Sequence, residues 1–316
     1  MKQFSLFISL IVLFCAPFFG QIALNFSDIF DTTSSSHMLL WEIRLPRVLI
    51  AFFGGAVLSL AGLVFQSVFR NALTTPFTLG VASGATLGTA IGIVFFGGII
   101  LWQYIFSFAG ALLTVLILFL ISKALKATQT NSLLLVGIAL SFFYSAALMV
   151  LFYLSDFQQS YSIIHFTMGS LSVIGLDYVY PITFISLLLL SVILFHRSEL
   201  KLLLTSLDFA FLKGIDVNKT IMTFLLITSL AVAVCVSIVG PIGFVGLIVP
   251  HIIKTVYQRS SDTLIIPTFF YGGVFLVFCD MITRNLGTVS DIPIGVVTSF
   301  LGGPFFIYLI LRKNKQ

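Results

Sequence analysis

The sequence predicts an all-α, polytopic membrane protein of about ten transmembrane helices, and three observations carry that prediction. Apolar residues make up 59% of the chain and charged residues only 9%. A soluble domain carries roughly 25% charged residues, whereas an exterior that faces lipid needs none. The apolar residues fall into long uncharged runs, each near the length of about 20 residues that a helix needs to cross the hydrocarbon layer. Lys and Arg gather on alternate connections, as the positive-inside bias requires. No polar stretch is long enough to form a second domain, so residues 1–316 read as a single transmembrane unit.

The first span is expected over Phe4–Leu24. The run is too long for the core of a signal peptide, and bulky Phe14 precedes Cys15 where cleavage wants a small residue. A polar loop with Asp28, Asp31 and Ser34–Ser36 follows, and the second span covers Val48–Phe69 with Pro46 in its first turn. Between Arg70 and Lys123 there is no charge, which leaves room for two helices hinged at Gly97 and Gly98. The fifth span covers Asn131–Leu154 and the sixth Tyr178–Phe195. The seventh runs from Thr220 to Val239, where Gly240 and Pro241 break the helix. A shorter eighth reaches Tyr257, the ninth covers Thr263–Ile282, and the tenth Ile292–Leu311. Ten spans put both ends of the chain on one side. Lys2 and the Arg312–Lys315 tail place that side in the cytoplasm, leaving only Arg44, Arg47 and Arg284 outside.

Four stretches stand out from the hydrophobic background. They are Arg44-Leu45-Pro46-Arg47; Gly62 through Gln66, Arg70 and Asn71 to Pro76, Gly80 and Ala85; Gly240-Pro241-Ile242-Gly243 through Gly246 to Pro250-His251; and Asp291 through Pro293 and Gly295 to Gly302-Gly303-Pro304. In order and spacing they resemble the permease subunits of ABC importers for iron–siderophore, haem and cobalamin. One departure is Ala72, where the family usually has proline after the Arg-Asn pair. The resemblance implies a type II importer permease in the cytoplasmic (inner) membrane of a bacterium. It further implies a second permease copy or related permease chain, two cytosolic ABC ATPase subunits and an extracytoplasmic substrate-binding protein. Ferric siderophore is the first expectation for cargo, with haem and cobalamin next.

The residues add readings of their own. Gly54, Gly55, Ala56, Ser59, Ala61 and Gly62 give the second helix a face of small residues on which neighbours can pack closely. Helix breaks at membrane depth are tolerated only against protein or a water-filled cavity. Asn71 to Pro76 and Gly240, Pro241 and Gly243 therefore read either as borders of the translocation route or as ordinary loop punctuation. Gln66 either lines that route or makes an interhelical hydrogen bond. Asp280 is too costly to face lipid, and should meet water, the bundle interior or Arg284 one turn on.

The segment 205–219 is the expected site of energy input. Thr205, Ser206, Leu207 and Asp208 open it with a helix-start pattern, and Phe209, Ala210, Phe211, Leu212 and Lys213 give it a partly apolar face before Gly214 stops it. Exposed Phe and Leu on a cytosolic loop need a cover; in the family this position docks on the ATPase, the alternative being a loop folded back on its own bundle. Arg44, Arg47 and Arg284, the basic residues outside, read as lipid-headgroup anchors or, as the resemblance suggests, as receivers of acidic side chains from the binding protein.

Other classes are disfavoured. No GxxxxGK[ST] loop occurs, so ATP and Mg belong to a partner ATPase, and no cofactor is expected on this chain. His37, His165, His196 and His251 are scattered, without metal-ligand spacing, and His251 is expected to be structural. Cys15, Cys235 and Cys279 read as packing residues. There is no basic stripe for nucleic acid. An ion-coupled secondary transporter is the alternative, weakened by spans almost free of charge.

Overall fold

The structure is a computed structural model that describes residues 2–22, 24–97, 99–124, 130–205, 210, 212–257, 261–286 and 291–313. Among them are twelve helices and no strand. They are α1 (Lys2–Cys15), α2 (Ser35–Val68), α3 (Val81–Phe95), α4 (Ile100–Ala124), α5 (Thr130–Leu154), α6 (Phe157–Thr167), α7 (Val179–Phe195), α8 (Arg197–Thr205), α9 (Val217–Val239), α10 (Val245–Tyr257), α11 (Ser261–Leu286) and α12 (Ile294–Lys313). All except α6 and α8 answer the ten expected spans.

Helix α2 is the hub, packed against α7, α9, α10 and α11. Its small face explains the packing. A Cβ at Gly55 would overlap the Gly272 backbone of α11, and one at Gly62 would overlap Gly246 of α10. Ser59 Oγ donates to the Thr268 carbonyl across the same seam, at 2.9 Å. Close backbone approach through small residues is how helices associate where lipid is as apolar as their side chains. Helices α3, α4, α5 and α6 form a second group, joined to the hub through α9. The outer face of α5 exposes Phe142, Phe143, Met149 and Tyr153, as a lipid-facing helix should.

Two boundaries differ from the sequence reading. Helix α1 stops at Cys15, not Leu24, because Pro17 has no N–H to continue the ladder and disfavours helix in the residue before it. Helix α2 starts at Ser35, not near Val48. Ser34 accepts the His37 N–H at 3.1 Å as N-cap, and one π-helical turn over Leu39–Arg44 carries the helix into Pro46. The wider turn lets the chain pass a residue that cannot donate.

The extra helices are short. Helix α6 begins with a capping box in which Asp156 and Gln159 satisfy each other's backbone N–H groups. Helix α8 bends 67° away from α7 and lies across the end of the bundle, with Leu200 and Leu203 buried. The α3–α4 hairpin turns at Gly97, whose φ of +65° favours glycine; Gly98 lies outside the described residues.

Candidate functional site

Arg44, Arg47 and Arg284 converge at one end of the bundle. Arg47 Nε donates to Asp280 Oδ1 at 2.8 Å, and its Nη1 donates to Asp291. Arg284 Nε makes a 3.0 Å ion pair with Asp280 Oδ2, the one-turn partnership expected from sequence. Its two Nη groups donate to the carbonyls of Phe19 and Ala16, at 3.2 and 3.1 Å. Arg44 donates to the carbonyls of Pro17, Phe18 and Ile22.

The guanidinium groups therefore face protein. Arg44, Arg47 and Arg284 are 5%, 7% and 6% exposed, and Asp280 is 0% exposed. Among the described residues, three buried cations meet two carboxylates, which leaves one positive charge without an anionic partner. Carbonyls of the chain leaving α1 take up the remainder, and a cation is favoured at that helix end by the free carbonyls and the helix dipole. Burying charge is tolerable only with such partners.

The rest of this end is acidic. The connections 16–34, 96–99, 155–178 and 287–293 contain no Lys or Arg, while Asp31, Glu42, Asp156, Asp177 and Asp291 are exposed. The Thr33 backbone N–H, with its hydroxyl, holds the Asp31 carboxyl below the usual range.

Beneath the arginines three irregular segments meet. Ser170 N–H donates to the Val239 carbonyl at 2.8 Å, Gly295 N–H to Met168 at 3.0 Å and Ile294 N–H to Gly169 at 3.2 Å. Gly240 adopts φ +73°, and a Cβ on it would collide with the Phe166 carbonyl. Gly240, Pro241 and Gly243 thus form part of a backbone junction inside the bundle, near the level of α2 marked by the Gly54–Cys235 contact. The other route candidates lie elsewhere. Gln66 Nε2 donates to the Gly246 carbonyl at 3.0 Å and its Oε1 accepts from Lys254 Nζ at 3.2 Å, so it makes the interhelical bond that was one of its two readings. Asn71 organises the turn after α2, its Oδ1 accepting from Leu73 N–H at 3.0 Å, and Pro76 is buried in the short 3₁₀ turn that follows.

At this opposite end lies the segment expected to receive energy. Thr205 is the last described residue of α8, and the rest of the expected helix-start pattern, through Asp208, lies outside the described residues. Ala210 is buried, Leu212 is 80% exposed and Lys213 is exposed. Gly214 takes φ +80°, and Asp216 caps α9 by accepting from Lys219 N–H at 3.0 Å. Ser206, Leu207, Asp208, Phe209 and Phe211 lie outside the described residues. Thr283 and the Ala16–Ile22 segment are members of the arginine junction that sequence did not nominate, and Asp291, which opens the fourth distinctive stretch, was not connected to the arginines. The signal for Asp291 was its rarity, as one of 11 acidic residues in 316.

Comparison with known proteins follows the same outline. The profile of the FecCD transport family matches residues 7–312. The hemin transport system permease HmuU of Yersinia pestis is 32% identical, covering 94% of this chain and 91% of its own length. The vitamin B12 import system permease BtuC of Vibrio cholerae is also 32% identical, over 89% of this chain and 85% of its own. A solved inward-facing ABC transporter, assigned to the metal-chelate type, superposes with a TM-score of 0.87 at 28% identity, covering 98% of this chain and 99% of that one.

Proposed function

The chain belongs to the FecCD transport family, and on that premise we propose that it is the multi-pass, membrane-spanning subunit of an ABC importer. The cargo is an iron chelate, haem or cobalamin, with ferric siderophore as the first candidate, and it moves into the cytoplasm. The chain carries no cofactor of its own; two cytosolic ATPase subunits use ATP and Mg, and a second permease, identical or related, completes the membrane part. The carrying observation is whole-length likeness in sequence and fold to permeases of such systems.

The two ends take different partners on this reading. The Arg70 end faces the cytoplasm, where Leu212 and the neighbouring Phe209 and Phe211 meet the ATPase. The arginine junction faces outward, and the binding protein docks over it. For its acids to reach Arg44 or Arg284, they displace the carbonyls of the Ala16–Ile22 segment.

Proteoliposomes holding the permease, its ATPase and its binding protein test the proposal. Uptake of the chelate should require ATP and survive an ionophore. Phe209→Asp should abolish uptake while the permease still inserts, because a charge would be buried against the ATPase. Uptake that continues without ATP and collapses with the ionophore would overturn the importer reading.

A further inference from the structure

At the far end of α2 the backbone does something costly. Arg70 takes φ +52°, in the left-handed region that non-glycine residues enter at a cost of about 1–3 kcal/mol and only when something fixes them there. Here the side chain fixes it. Nε and Nη2 of Arg70 both donate to one acceptor, the carbonyl of Leu203, at 3.2 and 2.7 Å. Leu203 lies in the last described turn of α8, and carbonyls near a helix C-terminus commonly seek partners outside the helix. A cation there also meets the negative end of the helix dipole.

The position matters more than the bond. Two residues beyond Leu203 comes Thr205, the last described residue of α8, and the chain enters the segment proposed to meet the ATPase. Helix α8 is also held to the bundle by Glu199, which accepts from the Thr220 hydroxyl of α9 at 3.2 Å, and by the buried Leu200 and Leu203. From Arg70 the path continues through one covalent helix. One turn back, Gln66 bonds Gly246 and Lys254 of α10, the helix that starts at the irregular backbone junction.

We propose that Arg70 is a positioning residue that ties α8 to α2, so that displacement of the ATPase-facing segment moves α2 and, through Gln66, α10. This rests on the importer reading above. The fork suits the task because Arg70 is an exposed residue whose bonds to Leu203 are only part-buried, so they exchange against water at less cost than the buried Arg47–Asp280 pair at the other end.

The test uses Arg70→Asn, Arg70→Gly and Arg70→Lys. Asn and Gly accept the left-handed backbone and remove the fork, whereas Lys keeps the charge and the backbone cost. In the reconstituted complex, Asn and Gly should keep ATPase subunits bound and keep basal ATP hydrolysis. Cargo moved per ATP should fall by about 2- to 30-fold, the range for substitutions along coupled networks, with Lys between them and wild type. In the permease alone, limited trypsinolysis between Lys201 and Lys219 should run several-fold faster in Asn and Gly. Wild-type coupling in Asn and Gly overturns the proposal, as does loss of the ATPase from the complex, which would make Arg70 part of the docking surface. If wild-type liposomes show no ATP-driven uptake, the importer reading fails, and the trypsin arm still reports on the Arg70 clasp.

Discussion

Helix α2 carries arginines at both ends, and the two ends hold them by opposite means. Arg44 and Arg47 are buried, and with Arg284 they draw in the chain after α1, α11 and the segment before α12. Arg70 is an exposed residue and holds a single carbonyl of α8 through part-buried bonds. Desolvated ions are strongly destabilising once a partner is lost, whereas a part-buried bond exchanges with water at less net cost. The first end is therefore built to stay assembled and the second to move. In the proposed importer, that gives the outward face a fixed frame and leaves mobility to the side that meets the ATPase.

The comparison breaks first at Asp280. This fully buried carboxylate pairs with both Arg47 and Arg284, so Asp280→Ala leaves two cations short of an anion. Destabilisation of roughly 3–5 kcal/mol is expected. Cys235 and Cys279 are buried thiols, so thermal unfolding in detergent can be followed with a thiol-reactive dye. Arg70→Asn should shift the same transition by about 1 kcal/mol or less, because Asn accepts the left-handed backbone and that gain offsets the lost hydrogen bonds, worth about 1 kcal/mol each. Equal shifts in the two variants would erase the distinction between the ends.

Next is Gly62→Val, which strikes the helix that both ends share. Its side chain would run into the Gly246 backbone, and overpacking costs about 1–3 kcal/mol, more where backbone must move. The seam would open around Gln66, so binding of the ATPase should persist while transport is lost. Retention of full transport would remove α2–α10 contact from the proposed path.

The spans were legible because apolar run length is a coarse signal that no tertiary detail can hide. The face of small residues from Gly54 to Gly62 was legible for the same reason: in lipid, packing has few other devices. Helices α6 and α8 were missed since Asp156, Gln159, Glu199 and Lys201 interrupt the hydrophobic pattern, although Asp156-x-x-Gln159 is a readable capping signal. Of the arginine junction, sequence nominated the cations and the Asp280–Arg284 pair, which is local at i, i+4. Arg47 and Asp291 are 244 residues apart, and the carbonyls of Pro17, Phe18 and Ile22 belong to no residue type at all. Backbone acceptors leave no mark in a sequence.

The smallest expected effect is the most discriminating. Among the described residues Arg44 donates to carbonyls alone, those of Pro17, Phe18 and Ile22, and Phe18 and Ile22 are exposed, so water can replace the guanidinium. Arg44→Met keeps most of the side chain's bulk and removes the charge that lacks a carboxylate. The lost hydrogen bonds, worth about 1 kcal/mol each, are offset by rehydrated carbonyls and one fewer buried cation, so stability should change by about 1 kcal/mol or less. Hydrogen exchange over residues 16–22 should nonetheless rise several-fold, because that segment loses its clasp. Docking of the binding protein then separates two roles. If Arg44 exchanges its carbonyls for an acidic side chain of that protein, affinity should fall about tenfold, and more steeply at low salt than at high. Unchanged docking at both salt concentrations, with residues 16–22 loosened all the same, would make Arg44 a strap for the end of α1 and leave the docking acids to other residues.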